Sequence, residues 1–121
     1  MTDFKVRINR YYAANDVSSA KSTLMILSST IEASDWRTVR GAITDVRHAI
    51  SRASTVVTTM DVDLCHDMKS ANVQLDKVIA GIDRSFTPSS RQPNKVGVQK
   101  VCRATVDVIV RAQHVLQENI P

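Results

Sequence analysis

From Trp36 to Met60 the chain sets an apolar or small residue at 36, 39, 43, 46, 50, 53, 57 and 60, a recurrence every three or four positions without a break. That spacing keeps one face of an α-helix apolar. It predicts a helix 2 over 35–59, with Ser34 as its cap and Asp35 favouring its positive end. Upstream, Val17, Ala20, Leu24, Leu27 and Ile31 follow Asn15 and Asp16, both good N-caps, and place helix 1 at 16–33 with Ser18, Ser22 and Ser29 facing away.

Beyond Met60 the rhythm slips to Leu64 and Met68, then resumes at Ala71, Leu75, Val78, Ile82 and Phe86. Either Asp61 caps a new helix 3 over 62–85 after a tight turn, or helices 2 and 3 merge into one long rod with a stutter. Ordinary globular helix lengths favour the turn. Thr87–Gly97 holds two prolines and several turn formers and reads as the clear loop of the chain. Helix 4, over 95–118, is apolar or small at Val98, Val101, Cys102, Thr105, Val108, Ile109, Ala112, Val115 and Leu116, nearly half its circumference, which marks it as the most buried helix. Residues 1–14 stand apart. Phe4, Val6 and Ile8 alternate with Lys5 and Arg7 and do not continue the stripe of helix 1, so the segment reads as a basic arm: extended chain, short strand or separate helical turn.

The expected architecture is therefore all-α, an antiparallel four-helix bundle in a single domain, 1–121, with a basic N-terminal arm. A chain of 121 residues can bury a core without staples, and three Gly and three Pro leave little turn chemistry for a sheet protein. The apolar runs are too short to span a bilayer and nothing at the start resembles a signal peptide, so an intracellular, cytoplasmic location is expected, with the nucleus as the other possibility and no membrane partner.

Charge adds the functional question. Net charge is +4 and the isoelectric point about 9.4, which suits a polyanion. The bases are segregated: 61–83 carries five acids against two bases, whereas Arg84, Arg91, Lys95, Lys100 and Arg103 occur in a stretch without an acid. Helix 2 carries four arginines and one acid; on a helical wheel Arg40 and Arg47 flank the apolar stripe, with Arg37 and Arg52 further round. A row of guanidinium groups on successive turns is one way to grip phosphates, and duplex RNA is recognised largely by shape and backbone contacts. The leading expectation is a non-catalytic nucleic-acid-binding protein, RNA favoured over DNA, using Arg37, Arg40, Arg47 and Arg52. Lys95, Lys100 and Arg103 come second, and Lys5, Arg7 and Arg10 of the arm third, beside Tyr11 and Tyr12, which could stack on bases.

The alternative is a helical interaction or self-assembly module. Ala42, Ala49 and Val56 form a small flank on helix 2 where a second copy could approach closely, and the arginines then serve solubility. Cys65 and Cys102, with three histidines, lack metal-ligand spacing and fit better as small core residues, so no metal and no cofactor is expected. Asp61, Asp63, His66 and Asp67 crowd the start of helix 3, where capping and the helix dipole account for the acids. No Gly-rich phosphate loop or nucleophile motif occurs, and no enzyme activity is expected.

Overall fold

A computed structural model describes residues 2–85 and 94–118. They form four α-helices: α1 (Thr2–Thr30), α2 (Trp36–Val57), α3 (Val62–Ser85) and α4 (Lys95–Glu118). Each helix runs antiparallel to its neighbours, as cross-helix side-chain pairs show: Asp16 with Arg52, Asn72 with Ser51, and Ser18 with Gln113. Among the described residues α1 packs on α2 and α4, and α3 packs on the same two. α2 and α4 also meet across one diagonal, whereas α1 and α3 occupy opposite corners without touching. The expected all-α antiparallel bundle is what the chain forms.

The core is built from the stripes the periodicity picks out. Val17, Leu24 and Ile31 of α1, Val39, Ile43, Val46 and Ile50 of α2, Met68, Leu75 and Ile82 of α3, and Ile109 and Leu116 of α4 are all at most 1 % exposed. Helix ends are fixed by short polar contacts. Asp35, in extended backbone, accepts from the Thr38 amide at 2.8 Å and caps α2, so the cap lies one residue later than expected. A turn at 58–60 then breaks the chain, with the Asp61 amide donating to Val57 O at 2.8 Å and the Asp61 carboxylate accepting from the Leu64 amide at 3.0 Å. This is the hairpin reading, and it rules out a single merged rod. Asn94 caps α4, its side-chain oxygen accepting from the Val96 amide at 2.9 Å.

The N-terminal arm is different from expectation. Residues 2–14 are not a loose arm but the first turns of a continuous 29-residue α1. Asn15 and Asp16 lie inside that helix, and Asp16 is used for a cross-helix ion pair in place of a cap. Ala13, 3 % exposed, extends the buried stripe of Val17 and Ala20 by one turn, which ties the segment to the bundle. Most of the loop at 87–97, Arg91 included, lies outside the described residues, while Lys95 and Gly97 already belong to α4.

Two substitutions on α2 test this frame in opposite directions. Gly41 is exposed in mid-helix and a Cβ there would meet nothing within 4 Å, so Gly41→Ala should stabilise the domain by about 1 kcal/mol in denaturant melts. Val46, 1 % exposed, should not accept a carboxylate. Val46→Asp is expected to abolish the cooperative thermal transition seen by circular dichroism.

Candidate nucleic-acid interface

The apolar stripe of α2 faces the core, so Arg40 and Arg47 emerge at the seam with α3 and Arg52 at the seam with α1. Each meets a carboxylate there. Arg40 donates through Nε to Asp83 Oδ1 at 2.6 Å and through Nη2 to Asp83 Oδ2 at 3.2 Å, a forked contact. Arg47 pairs with Asp76, one turn or so further along the same seam. Arg52 forks onto Asp16 at 3.3 and 3.1 Å. A fourth pair, Arg111 with Asp67 at 2.8 Å, ties α4 to α3. The Arg40 guanidinium beside Asp83 holds that carboxyl below its ordinary range, by hydrogen bonding first and by charge second.

These pairs change what the arginine row offers. Arg40, Arg47 and Arg52 do not present a free line of guanidinium groups; each spends its fork on a neighbouring helix. Arg37, exposed on the outer side of α2, also makes an interaction of its own. Lys95 is likewise engaged: its Nζ donates to the carbonyls of Glu32 at 3.0 Å and Ser34 at 3.3 Å, and stands 5.8 Å from the Trp36 ring centroid. It therefore serves the C-terminal end of α1, where a cation suits the exposed carbonyls.

Lys100 lies on the rim of an open groove of about 470 Å³ between α3 and α4, above an apolar floor that includes Ala71, Val101 and Val108. Arg103 is exposed on α4 nearer α1, in a shallow depression with Met25 and Asp107. Lys5 is exposed on α1 and Arg10 half-buried with an interaction of its own, while the Arg7 side chain lies outside the described residues. Tyr11 and Tyr12 are 58 and 62 % exposed, their rings edge to face at 6.1 Å.

The small flank of α2 is already covered within the chain. Ala49 is 5 % exposed, and Ala42 and Val56 pack against the core. Val56 lines a cleft with Tyr12 and Ala13, and Ala49 lines one with Ala20 and Thr23, so α1 occupies the side where a second copy was expected.

What the charge count concealed is the outer face of α3. Because Asp67, Asp76 and Asp83 point into seams, the solvent stripe of this nominally acidic helix reads Val62, His66, Lys69, Val73, Lys77, Ala80 and Arg84, all exposed and without a carboxylate. A wheel drawn for this helix separates the acids from the lysines; a sum along the chain does not.

The cysteines belong to the core. Burial pushes the Cys102 thiol up to about 11, so it stays protonated, and buried Cys65 lies 3.6 Å from Ser54 O. Among the described residues no group of three or more His, Cys, Asp or Glu could hold a metal ion, and no helix is long and apolar enough to cross a membrane.

Fold and surface together define a class: an up-and-down four-helix bundle whose seams are laced by arginine–aspartate pairs. No protein-family model, curated protein or solved structure compared with the chain matches it.

The Arg40 and Arg47 pairs should show in acid. A carboxylate held below its unfolded value, about 3.9, adds stability that is complete above that pH and is lost as pH falls through the folded value. Wild type should therefore lose melting temperature below about pH 4. The variant Arg40→Gln/Arg47→Gln is expected to melt slightly lower at neutral pH and to lose less on acidification, measured by thermal denaturation between neutral pH and acid.

Proposed function

We propose that the chain is a non-catalytic binding module for polyanionic nucleic acid, RNA before DNA, and that its contact surface is the outer face of α3 with the adjoining edge of α4. The observation that carries this reading is the acid-free exposed stripe of α3 bearing Lys69 and Lys77, which the interhelical pairs create by drawing Asp76 and Asp83 towards α2. Among the described residues no ion pair engages Lys69, Lys77 or Lys100, so their ammonium groups are available to phosphates. Arg103, with Asp107 four residues on, extends the edge less strongly.

The chemistry is that of backbone recognition. Lysines act as point charges that displace counterions, giving affinity that falls steeply with salt and carries little base preference. RNA is placed first because duplex RNA is read mainly by shape, phosphates and 2′-hydroxyls, which lysines on a rigid helix can meet. The α2 arginines act here as braces of the bundle and hold α3 in place.

Binding to a nonspecific RNA duplex, followed by fluorescence anisotropy across a salt series, tests this assignment. Lys69→Gln/Lys77→Gln should keep the wild-type melt, because both side chains are exposed, and should reduce the slope of log K against log salt by about two. Arg40→Gln/Arg47→Gln should leave that slope nearly unchanged. Absence of salt-dependent binding by wild type, or a lysine variant indistinguishable from it, would remove the reading.

A further inference from the structure

α1 carries two apolar stripes rather than one. The inner stripe, Ala13, Val17, Ala20, Leu24, Leu27 and Ile31, is buried in the bundle. A second series, Ile8, Tyr11, Asn15, Ser18, Ser22, Met25 and Ser29, advances by alternate steps of three and four along the opposite side. Its large members are conspicuous: Tyr11 is 58 % exposed, Met25 56 % and the adjacent Ile26 64 %. Over Ile8–Ser29 this outer face has no charged residue, and Val110 of α4, 39 % exposed, continues the apolar surface on the side of Met25. A surface helix that is merely solvated carries charge on its outer side.

We infer that the outer face of α1 is the contact through which two copies of this chain pair, antiparallel, about a two-fold axis near Ser18 and Ser19. The arrangement of side chains along the helix is what selects a second copy as the occupant. Bulky groups lie towards both ends and small ones between, so reversing the helix end for end reproduces the pattern. Ile8 then faces Ser29 of the second copy, Tyr11 faces Ile26, and Asn15 faces Ser22. The small central residues let the backbones approach, and a lone polar residue in such a seam favours one register. An uncharged face meets its own copy without repulsion, while the basic groups Lys5 and Lys21 stay at the margins.

Size sets the strength. Residues 8–29 give a strip roughly 33 Å long and about 10 Å wide, which is at the small end for a specific interface. The pair is therefore a reversible one, with a dissociation constant on the order of ten to a hundred micromolar. This interface is independent of the lysine face of α3, which lies at the opposite corner of the bundle.

Sedimentation velocity over a concentration series, with disulfide trapping, decides the matter. Wild type should shift from monomer to dimer. Ile26→Glu and Ser22→Glu, both at exposed positions, should raise the dissociation constant at least tenfold while keeping the wild-type melt, since Glu is a good helix former. Under mild oxidation, an equal mixture of Asn15→Cys and Ser22→Cys chains should form a mixed covalent dimer, whereas neither chain alone should, because in an antiparallel pair identical positions stand about 10 Å apart. The natural Cys65 and Cys102 are buried and do not compete. A wild type that stays monomeric at several hundred micromolar, a dimer that survives Ile26→Glu, or self-linking of either single variant would each overturn the inference.

Discussion

The burial of the α2 stripe between its neighbours governs most of what this molecule displays. Once Val39, Ile43, Val46, Ile50 and Ala53 face inward, helix geometry leaves Arg40 and Arg47 no place except the seam with α3, and Arg52 none except the seam with α1. Seams are where opposite charges from another helix arrive, and Asp83, Asp76 and Asp16 do arrive there. The pairs are half exposed, so they add little to stability individually. Their larger effect is on what remains: they take acids off the surface of α3 and arginines off the surface of α2, and so decide which helix faces solvent with positive charge.

This explains why the bundle could be read from the sequence while the candidate site could not. α2, α3 and α4 each carry one apolar stripe and one plain stop, so periodicity and capping chemistry locate them closely, down to Asp61 at the head of α3. The arginines were visible too, as a row on one helix. Invisible was the partner each would meet, because Arg40 and Asp83 are 43 residues apart and only packing brings them together. Nothing in a linear charge count distinguishes an aspartate turned into a seam from one turned to water, and helix 3 therefore seemed the least suitable surface for a phosphate. Lys100 and Arg103 kept their exposure because α4 supplies a single seam pair, through Arg111.

α1 failed to announce its full length for a related reason. Two apolar series on opposite sides cancel one another in any test for a single amphipathic face, so residues 2–14 looked unrelated to the stripe that begins at Val17. Ala13 is part of the inner series, while Ile8 and Tyr11 are part of the outer one. A helix of this kind is stable when both sides are covered. The bundle covers one, and the spacing of the other suits a second helix better than it suits water.

The two surfaces bear on each other through the topology. α1 and α3 sit at opposite corners, so pairing through α1 would direct both α3 faces outward, on the far sides of the dimer. Two modest lysine faces held in one particle bind a long polyanion with an effective concentration that a lone domain lacks. A monomer with Lys69 and Lys77 as its chief contacts is a weak ligand for RNA, and a weak self-association is in turn strengthened when two copies lie on the same strand. Each interaction thus makes the other more favourable without any contact between the two sites, because the rigid four-helix frame fixes the direction in which each face points.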